Sequence, residues 1–136
     1  MSPTSQQIDY DWALIRLVPD VVRGDACTVG VVLHARRAGF LGLRLLPDAS
    51  GMCGSVDSRL VARYLEALRA VAAGGPNSGP IGLLTPSERF HWITSTRSTA
   101  LQPSPVHTGR ADDPAAALDA LYDEMVAPAP DDGRVK

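Results

Sequence analysis

Val29-Gly-Val-Val-Leu33 is a nearly continuous apolar run in which three of the five residues are valine. β-branched residues favour extended backbone, and an apolar run without polar alternation is typical of a strand buried on both faces of a sheet. Gly30, inside the run, predicts either a β-bulge or the close approach of another backbone. We therefore expect this run to be a fully buried strand.

Apolar and polar residues alternate imperfectly on either side of this run. Tyr10–Val18 predicts a first strand that is ended by Pro19, because proline cannot donate a hydrogen bond to a ladder. Phe40–Leu46 predicts a third strand that is ended by Pro47. Since the links are short, the first third of the chain is predicted to be a three-stranded antiparallel meander.

The clearest helix signal runs from Asp57 to about Ala73, with Ser55 or Asp57 as its N-cap. Gly74-Gly-Pro76 ends it, since glycine favours a C-cap and proline cannot continue a helix. Its predicted apolar stripe consists of Leu60, Val61, Tyr64, Leu65, Leu68, Val71 and Ala72. The helical spacing of this stripe predicts that it packs across one face of the sheet.

The C-terminal half carries two further signals. Arg89–Thr94 alternates and predicts a fourth strand, with Thr99–Gln102 as its hairpin partner. Asp113 followed by Pro114 predicts a helix start, because an acidic N-cap and a proline at the first helical position both favour initiation. This helix is predicted to run to about residue 126, with an apolar face of Leu118, Leu121, Tyr122 and Met125.

These elements together predict a single α+β domain over residues 10–126, and a length of 136 residues fits one domain. Its antiparallel sheet would have about five strands, the N-terminal three-stranded meander plus a C-terminal hairpin, with two main helices. Residues 1–9 and 127–136 are predicted to be disordered tails.

Composition argues against several classes of function. A formal net charge of -2 provides no basic surface for nucleic acid. No apolar run approaches the ~20 residues that a membrane span needs, and the N-terminal residues lack a signal-peptide pattern, so we expect a cytoplasmic protein without membrane contact. Cys27 and Cys53 lack metal-ligand spacing and are predicted to be reduced.

Residues 87–109 gather an unusual share of the polar side chains that bind ligands or partners. Prolines at positions 103 and 105 stiffen this segment, which would therefore lose little entropy on binding. The end of the first strand would complete the cluster if it lies beside the fourth, with Asp20 in reach of Arg89 or Arg97. The candidate binding residues are Arg16, Asp20, Arg23, Arg89, His91, Arg97, Ser98, Gln102, Ser104 and His107.

Three uses of these residues are open. A binding module would present them to an acidic or phosphorylated partner. An enzyme would use His91 and His107 as acid and base and two nearby arginines to hold a phosphate or carboxylate, because histidine titrates near pH 7 and arginine binds such anions in bidentate fashion. In a purely structural use, Arg89 would pair with Glu88 or with an acidic residue of the first strand, and residues 102–109 would form a crossover.

No cofactor and no metal are predicted. The two glycine-rich phosphate-loop patterns, GxxxxGK and GxGxxG, do not occur in the chain. The three histidines, at positions 34, 91 and 107, lack the spacing of metal ligands.

Several blocks of the chain resemble, in this order, one bacterial family. They are Tyr10-Asp-Trp-Ala-Leu-Ile-Arg-Leu-Val-Pro19, Val29-Gly-Val-Val-Leu33, Ser87-Glu-Arg-Phe-His-Trp92, Arg97-Ser98, Gln102-Pro-Ser-Pro-Val-His-Thr-Gly109 and Asp113-Pro114. Over residues 10–126 the chain is similar to the family called domain of unknown function 3037 (DUF3037). Two positions depart from its pattern: Thr28 stands where asparagine is expected, and Asp25 where glutamate is expected.

The resemblance implies no established activity. Similar proteins are often encoded beside kinases that resemble the toxin HipA, which implies a HipA-like kinase as a protein partner. We therefore favour a non-enzymatic partner-binding or regulatory module that uses residues 87–109. The alternative is a small enzyme that acts on a phosphate- or carboxylate-bearing substrate with His91 and His107.

Overall fold

The structure, a computed structural model, describes residues 7–20, 25–47, 58–76, 79–95 and 101–126. Within these ranges the strands are β1 (Ile8–Asp20), β2 (Asp25–Ala35), β3 (Phe40–Leu45) and β4 (His107–Ala111). The α-helices are α1 (Ser58–Ala73), α2 (Gly79–Gly82), α3 (Pro86–Ser95) and α4 (Pro114–Leu121). A 3-10 turn, Arg36–Ala38, lies between β2 and β3, and a π-helical turn, Tyr122–Val126, extends α4.

The strands form one antiparallel sheet in the order β3-β2-β1-β4. The predicted N-terminal meander is confirmed, and with it the α+β class. The described residues contain four strands rather than about five, because they do not contain the predicted C-terminal hairpin.

β1 extends beyond both of its predicted ends. It starts at Ile8 and continues through Pro19 to Asp20, so the prediction that the proline ends the strand is wrong. Pairing with β2 changes register between Leu17 and Asp20. Pro19 therefore lies where the ladder is already interrupted, which is a position that tolerates a missing N–H group.

Gly30 meets both of its predicted roles. Ile15 pairs with Gly30 but Arg16 pairs with Thr28. Val29, which lies between Thr28 and Gly30, is therefore the extra residue of a β-bulge. A Cβ atom on Gly30 would lie 2.8 Å from the carbonyl oxygen of Arg44 on β3. The absence of a side chain thus lets the β3 backbone come close at the bulge.

Helices cover both faces of the sheet, and β2 is buried throughout residues 29–35. The core under α1 and α3 includes Ala13, Ile15, Val29, Val32, Val61, Leu65, Leu68, Phe90 and Ile93. The core under α4 includes Val31, Leu33, Ala35, Leu118, Tyr122 and Val126. The predicted burial of the Val29–Leu33 run on both faces is therefore confirmed.

The two predicted main helices, α1 and α4, are confirmed, but their buried apolar faces are narrower than predicted. Leu60 of α1 is 42% exposed and Met125 beyond α4 is 40% exposed, so neither belongs to the core. The N-cap of α4 is Asp113, whose carboxylate accepts a hydrogen bond from the N–H of Ala115 at 3.0 Å. The predicted N-caps of α1 lie outside the described residues.

The predicted fourth strand, Arg89–Thr94, is wrong, because these residues belong to α3. Thr85 and Glu88 form a capping box: the Thr85 hydroxyl accepts from the N–H of Glu88 at 3.2 Å, and the Glu88 carboxylate accepts from the N–H of Thr85 at 3.1 Å. Phe90, Ile93 and Thr94 are buried at helical spacing. Thr-Pro-Ser-Glu, at positions 85–88, is the sequence signal that outweighs the short alternation.

The predicted hairpin partner, Thr99–Gln102, does not form a strand in its described part. Residues 96–100 lie outside the described residues, and Leu101 makes a single isolated bridge to Leu17. β4 comes later, at His107–Ala111, where no strand is predicted from the sequence. Most side chains of β4 are exposed, and its sequence, His-Thr-Gly-Arg-Ala, is largely polar. It therefore lacks the apolar residues by which a strand is predicted from sequence.

Two further findings concern the predicted cellular context. Cys27 is disulfide-bonded, so the prediction of a reduced thiol there is wrong, and Cys53 lies outside the described residues. Sequence separation does not report distance in the fold, and disulfides are rare in the cytoplasm. Within the described ranges, none of the helices has the length and hydropathy needed to cross a bilayer.

Replacing Thr85 by alanine should lower the free energy of unfolding by about 1 kcal/mol, because α3 would lose its N-terminal hydroxyl cap. Thr85→Ser, which keeps the hydroxyl, should retain most of the stability. Urea unfolding of the three proteins measures the difference. Equal stability of the alanine and serine variants would contradict the role of the capping box.

Candidate functional site

Arg89, one of the predicted anion-binding residues, is used inside the fold. Its guanidinium donates hydrogen bonds to the carbonyl oxygens of Val71 (2.8 Å) and Ala72 (2.9 Å) at the end of α1, and to that of Leu84 (3.1 Å). A cation offsets the partial negative charge of a helix C-terminus, and α1 has no basic residue in its own last turn. Arg89 therefore joins α3 to α1, and among the described side chains it forms no ion pair with Glu88, Asp9 or Asp11.

Gly74 makes room for this guanidinium. Its φ angle is 75°, a left-handed conformation that glycine adopts readily. A Cβ atom at this position would lie 2.7 Å from Nη1 of Arg89. The predicted glycine C-cap thus has a second function, since it admits the side chain that binds the helix end.

Three other candidates, Arg16, Gln102 and Ser104, do come together, along the free side of β1. The N–H groups of Gln102 and Ser104 donate to the carbonyl oxygens of Arg16 and Leu14, both at 2.9 Å. The Ser104 hydroxyl accepts from the N–H of Leu14 at 2.8 Å, and the side chain is only 5% exposed. The Arg16 guanidinium donates to the carbonyl oxygens of Gln102 (3.3 Å) and Pro103 (3.4 Å). These contacts support the structural use of residues 101–104.

His91 and His107 lie on opposite faces of the sheet. His91 is exposed on α3, with Nε2 3.4 Å from the Ser95 hydroxyl. The exposed ring of His107 lies 4.7 Å from the ring of Trp12, which packs against the core under α4. The fold does not bring the two histidines together as the acid and base of one site.

The remaining candidates yield little. Arg23, Arg97 and Ser98 lie outside the described residues. Asp20 is the last residue of β1 and the register partner of Asp25. The hypothesis that the Asp20 side chain reaches Arg89 or Arg97 concerns side chains outside the described part of the chain.

A polar group that sequence reasoning missed lies where β1 starts. We call it the polar end of the sheet and define it by Asp9, Asp11, His34, Thr108 and Arg110. Asp11 is the register partner of His34 on β2 and of Thr108 on β4, and Asp9 is that of Arg110. Since register partners point to the same face, these side chains share the face that α1 and α3 cover elsewhere. The available signal was a pair of acidic residues at alternate positions of an otherwise apolar strand.

An open groove of about 680 Å³ lies over this region, lined by Asp9, Tyr10, Asp11, Thr108, Gly109 and Arg110. Arg110 Nε donates to the Asp9 carboxylate at 2.7 Å, but both side chains are well exposed, so this ion pair contributes little to stability. The half-buried Asp11 side chain forms no hydrogen bond or ion pair with any described residue. Asp11 is therefore a carboxylate that is available to a ligand.

Some backbone groups of β4 form no hydrogen bond with any other described residue. The N–H groups of Gln102 and Ser104 bond the carbonyl oxygens of Arg16 and Leu14, so the even-numbered residues of β1 direct their backbone groups to the side of β1 on which β4 lies. Tyr10 is one of them and is the register partner of Gly109. Along an antiparallel strand these groups alternate in direction, so the N–H and C=O groups of Thr108 and Arg110 point away from β1, at the outer edge of the sheet.

His34 is buried between the sheet and α3. It is 6% exposed, its ring stacks on that of Phe90 at 5.5 Å, and its Nε2 lies 3.4 Å from the Ser87 hydroxyl. Burial lowers the pKa of His34; the Asp11 carboxylate opposes this effect, and nearby guanidinium groups reinforce it. No hydrogen bond joins His34 to Asp11, so these described residues do not form a serine–histidine–carboxylate relay.

A four-stranded antiparallel sheet that is covered by helices on both faces defines a small α+β domain. Among the described residues no cluster of histidine, cysteine and acidic side chains could hold a metal ion. The chain belongs to the family described as Protein of unknown function (DUF3037), whose family model matches residues 12–126. This confirms the predicted family. No curated protein and no solved structure matches the chain.

Replacing Arg89 by alanine should lower the free energy of unfolding by about 2 kcal/mol, because three carbonyl groups would lose a charged donor. Arg63→Ala, on the exposed face of α1, is the matched control and should change stability by less than about 0.5 kcal/mol. Chemical unfolding measures both. Equal effects of the two substitutions would show that Arg89 does not hold α1 to α3.

His34 should make stability depend on pH. Because its pKa is lowered in the folded state, the unfolded state binds more protons, and the free energy of unfolding should fall as pH decreases below the ordinary histidine value of 6.5. This contribution is fully present above that value and is lost as pH falls toward the lowered pKa. His34→Gln should flatten the dependence. Unfolding curves of the wild type and of this variant, from neutral to mildly acidic pH, measure the difference, and equal slopes would contradict the role of His34.

Proposed function

We propose that this protein is a partner-binding module that takes up an extended segment of another protein along the outer edge of β4. The observation that carries the proposal is the outward direction of the backbone groups of Thr108 and Arg110. Free groups at the edge of a sheet can pair with an added strand, a mode in which main-chain hydrogen bonds supply affinity.

The surroundings of β4 suit an added strand better than those of β3. β3, at the other edge, is flanked by α1 on one face and by α4 on the other. β4 pairs with β1 and has exposed side chains at His107, Thr108 and Arg110. A segment added to β4 would therefore find room on both faces of the sheet.

The route of the chain into β4 also favours binding. Ser104 is hydrogen-bonded to β1, Pro103 is buried, and Pro105 follows, so the approach to β4 is stiff. Val106, the residue before β4, is 46% exposed and offers apolar contact area. A rigid edge loses little conformational entropy on binding. Residues 106–109 are the part of the 87–109 segment that supports the binding hypothesis, together with Arg110, which follows it.

The kinase that the family resemblance implies, one similar to HipA, is the first partner that we propose for this edge. A regulatory role would follow if this protein occupies an extended segment of the kinase. The enzyme alternative receives no comparable support, because its two histidines lie on opposite faces of the sheet.

Amide hydrogen exchange tests the edge directly. In the free protein the Thr108 and Arg110 amides should exchange fast, while that of Gly109, which faces Tyr10, should be protected. Binding of the purified kinase, or of a peptide from it, should protect the two fast amides. Protection of Thr108 in the free protein would contradict the open edge.

Thr108→Pro should abolish binding, because proline removes an outward N–H group and leaves the bonds between β4 and β1 in place. Thr108→Val keeps that N–H group and should bind as the wild type does. Titration calorimetry measures both, after thermal unfolding has shown that both variants fold. A folded proline variant that binds as tightly as the valine variant would overturn the proposal.

A further inference from the structure

The polar end of the sheet also indicates which side chains the added segment should carry, an inference that rests on the proposed function. We infer that the segment presents a basic residue, arginine or lysine, to Asp11 and an acidic residue, two positions away, to Arg110. Both would lie on the face of the added strand that continues the row of Asp11 and Thr108.

The first step concerns Asp11. It lies between the groove over β4 and a smaller cleft on the β2 side, lined in part by Arg36 and Arg37. Neither arginine forms an ion pair with it, and no other described residue bonds its carboxylate. A half-buried carboxylate that no described residue bonds gains from a cation that enters the groove.

The second step concerns reach. Neighbouring strands lie about 4.8 Å apart, so a residue added beside Thr108 would have its Cα about 10 Å from that of Asp11. An extended arginine or lysine side chain together with the aspartate side chain spans this distance. Thr108, the residue between them, is small, and the groove over it is open. A basic side chain can therefore lie across Thr108 and pair with Asp11.

The third step concerns Arg110. One N–H group of its guanidinium, on Nε, bonds Asp9, and the other donors are directed to no described residue. A guanidinium has five donors, so this side chain can also donate hydrogen bonds to a carboxylate of the added strand. Because Thr108 and Arg110 are two residues apart on one face, the matching basic and acidic residues of the segment are also two apart.

A displayed library of random peptides of about ten residues, long enough for one strand, tests this pattern on the full-length protein. Peptides selected on the wild type should share an arginine or lysine two positions from an aspartate or glutamate. Their binding should be lost in Thr108→Pro and should weaken about tenfold in Asp11→Asn, because a charge-assisted contact is removed. Asp112→Asn, which changes the net charge equally just beyond β4, should stay within about twofold.

Replacing the basic residue of a selected peptide by glutamine gives the same readout without any change to the protein. It should weaken binding to the wild type and leave binding to Asp11→Asn unchanged. Peptides that require the Thr108 N–H group but show no basic residue would overturn this inference and leave the proposed function standing. Peptides that bind Thr108→Pro as tightly as the wild type, or a selection that yields no peptides, would overturn both this inference and the proposed function. A dimer of the free protein that is lost in Thr108→Pro would show instead that a second copy occupies the edge.

Discussion

Burial of β2 on both faces is the constraint on which the rest of the structure depends. A strand without a polar face needs an apolar layer above and below it. Val32 is covered by α1 and α3, and Val31 and Leu33 are covered by α4. The bulge beside Gly30 lets β3 approach closely at the same point, so the centre of the sheet is enclosed from three directions.

The outer side of β1 poses a different problem, because its backbone groups need partners along a strand of 13 residues. β4 covers the first part, and the proline-containing segment of residues 101–104 covers the next. Prolines cannot donate ladder bonds, and here side chains take over: the Ser104 hydroxyl accepts from β1, and the Arg16 guanidinium binds two carbonyl groups of the segment. Residue types that bind ligands in other proteins are used here to attach the chain to itself.

What remains open is a short edge with charges on one face. Free edges risk unspecific pairing, and shortness, charge and preceding prolines reduce that risk. β4 has all three features, with Arg110 as the charge and Pro105 just before the strand. In the proposed function the same features would make the edge selective, since a segment would have to supply both backbone groups and complementary charges. Specificity would then come from Asp11 and Arg110, and affinity from the main chain.

The sequence by itself determined the meander, the buried strand and both main helices, because these depend on local patterns of period two or 3.6 and on caps such as Asp113. It also contained the capping box of α3, which is a local signal, although the short alternation of Arg89–Thr94 obscured it. Only the tertiary structure decided that Arg89 binds the end of α1 and that Asp11 stands beside Thr108. These pairs are far apart in the chain, and a polar side chain carries no mark of whether its partner will be a backbone carbonyl, water or another protein.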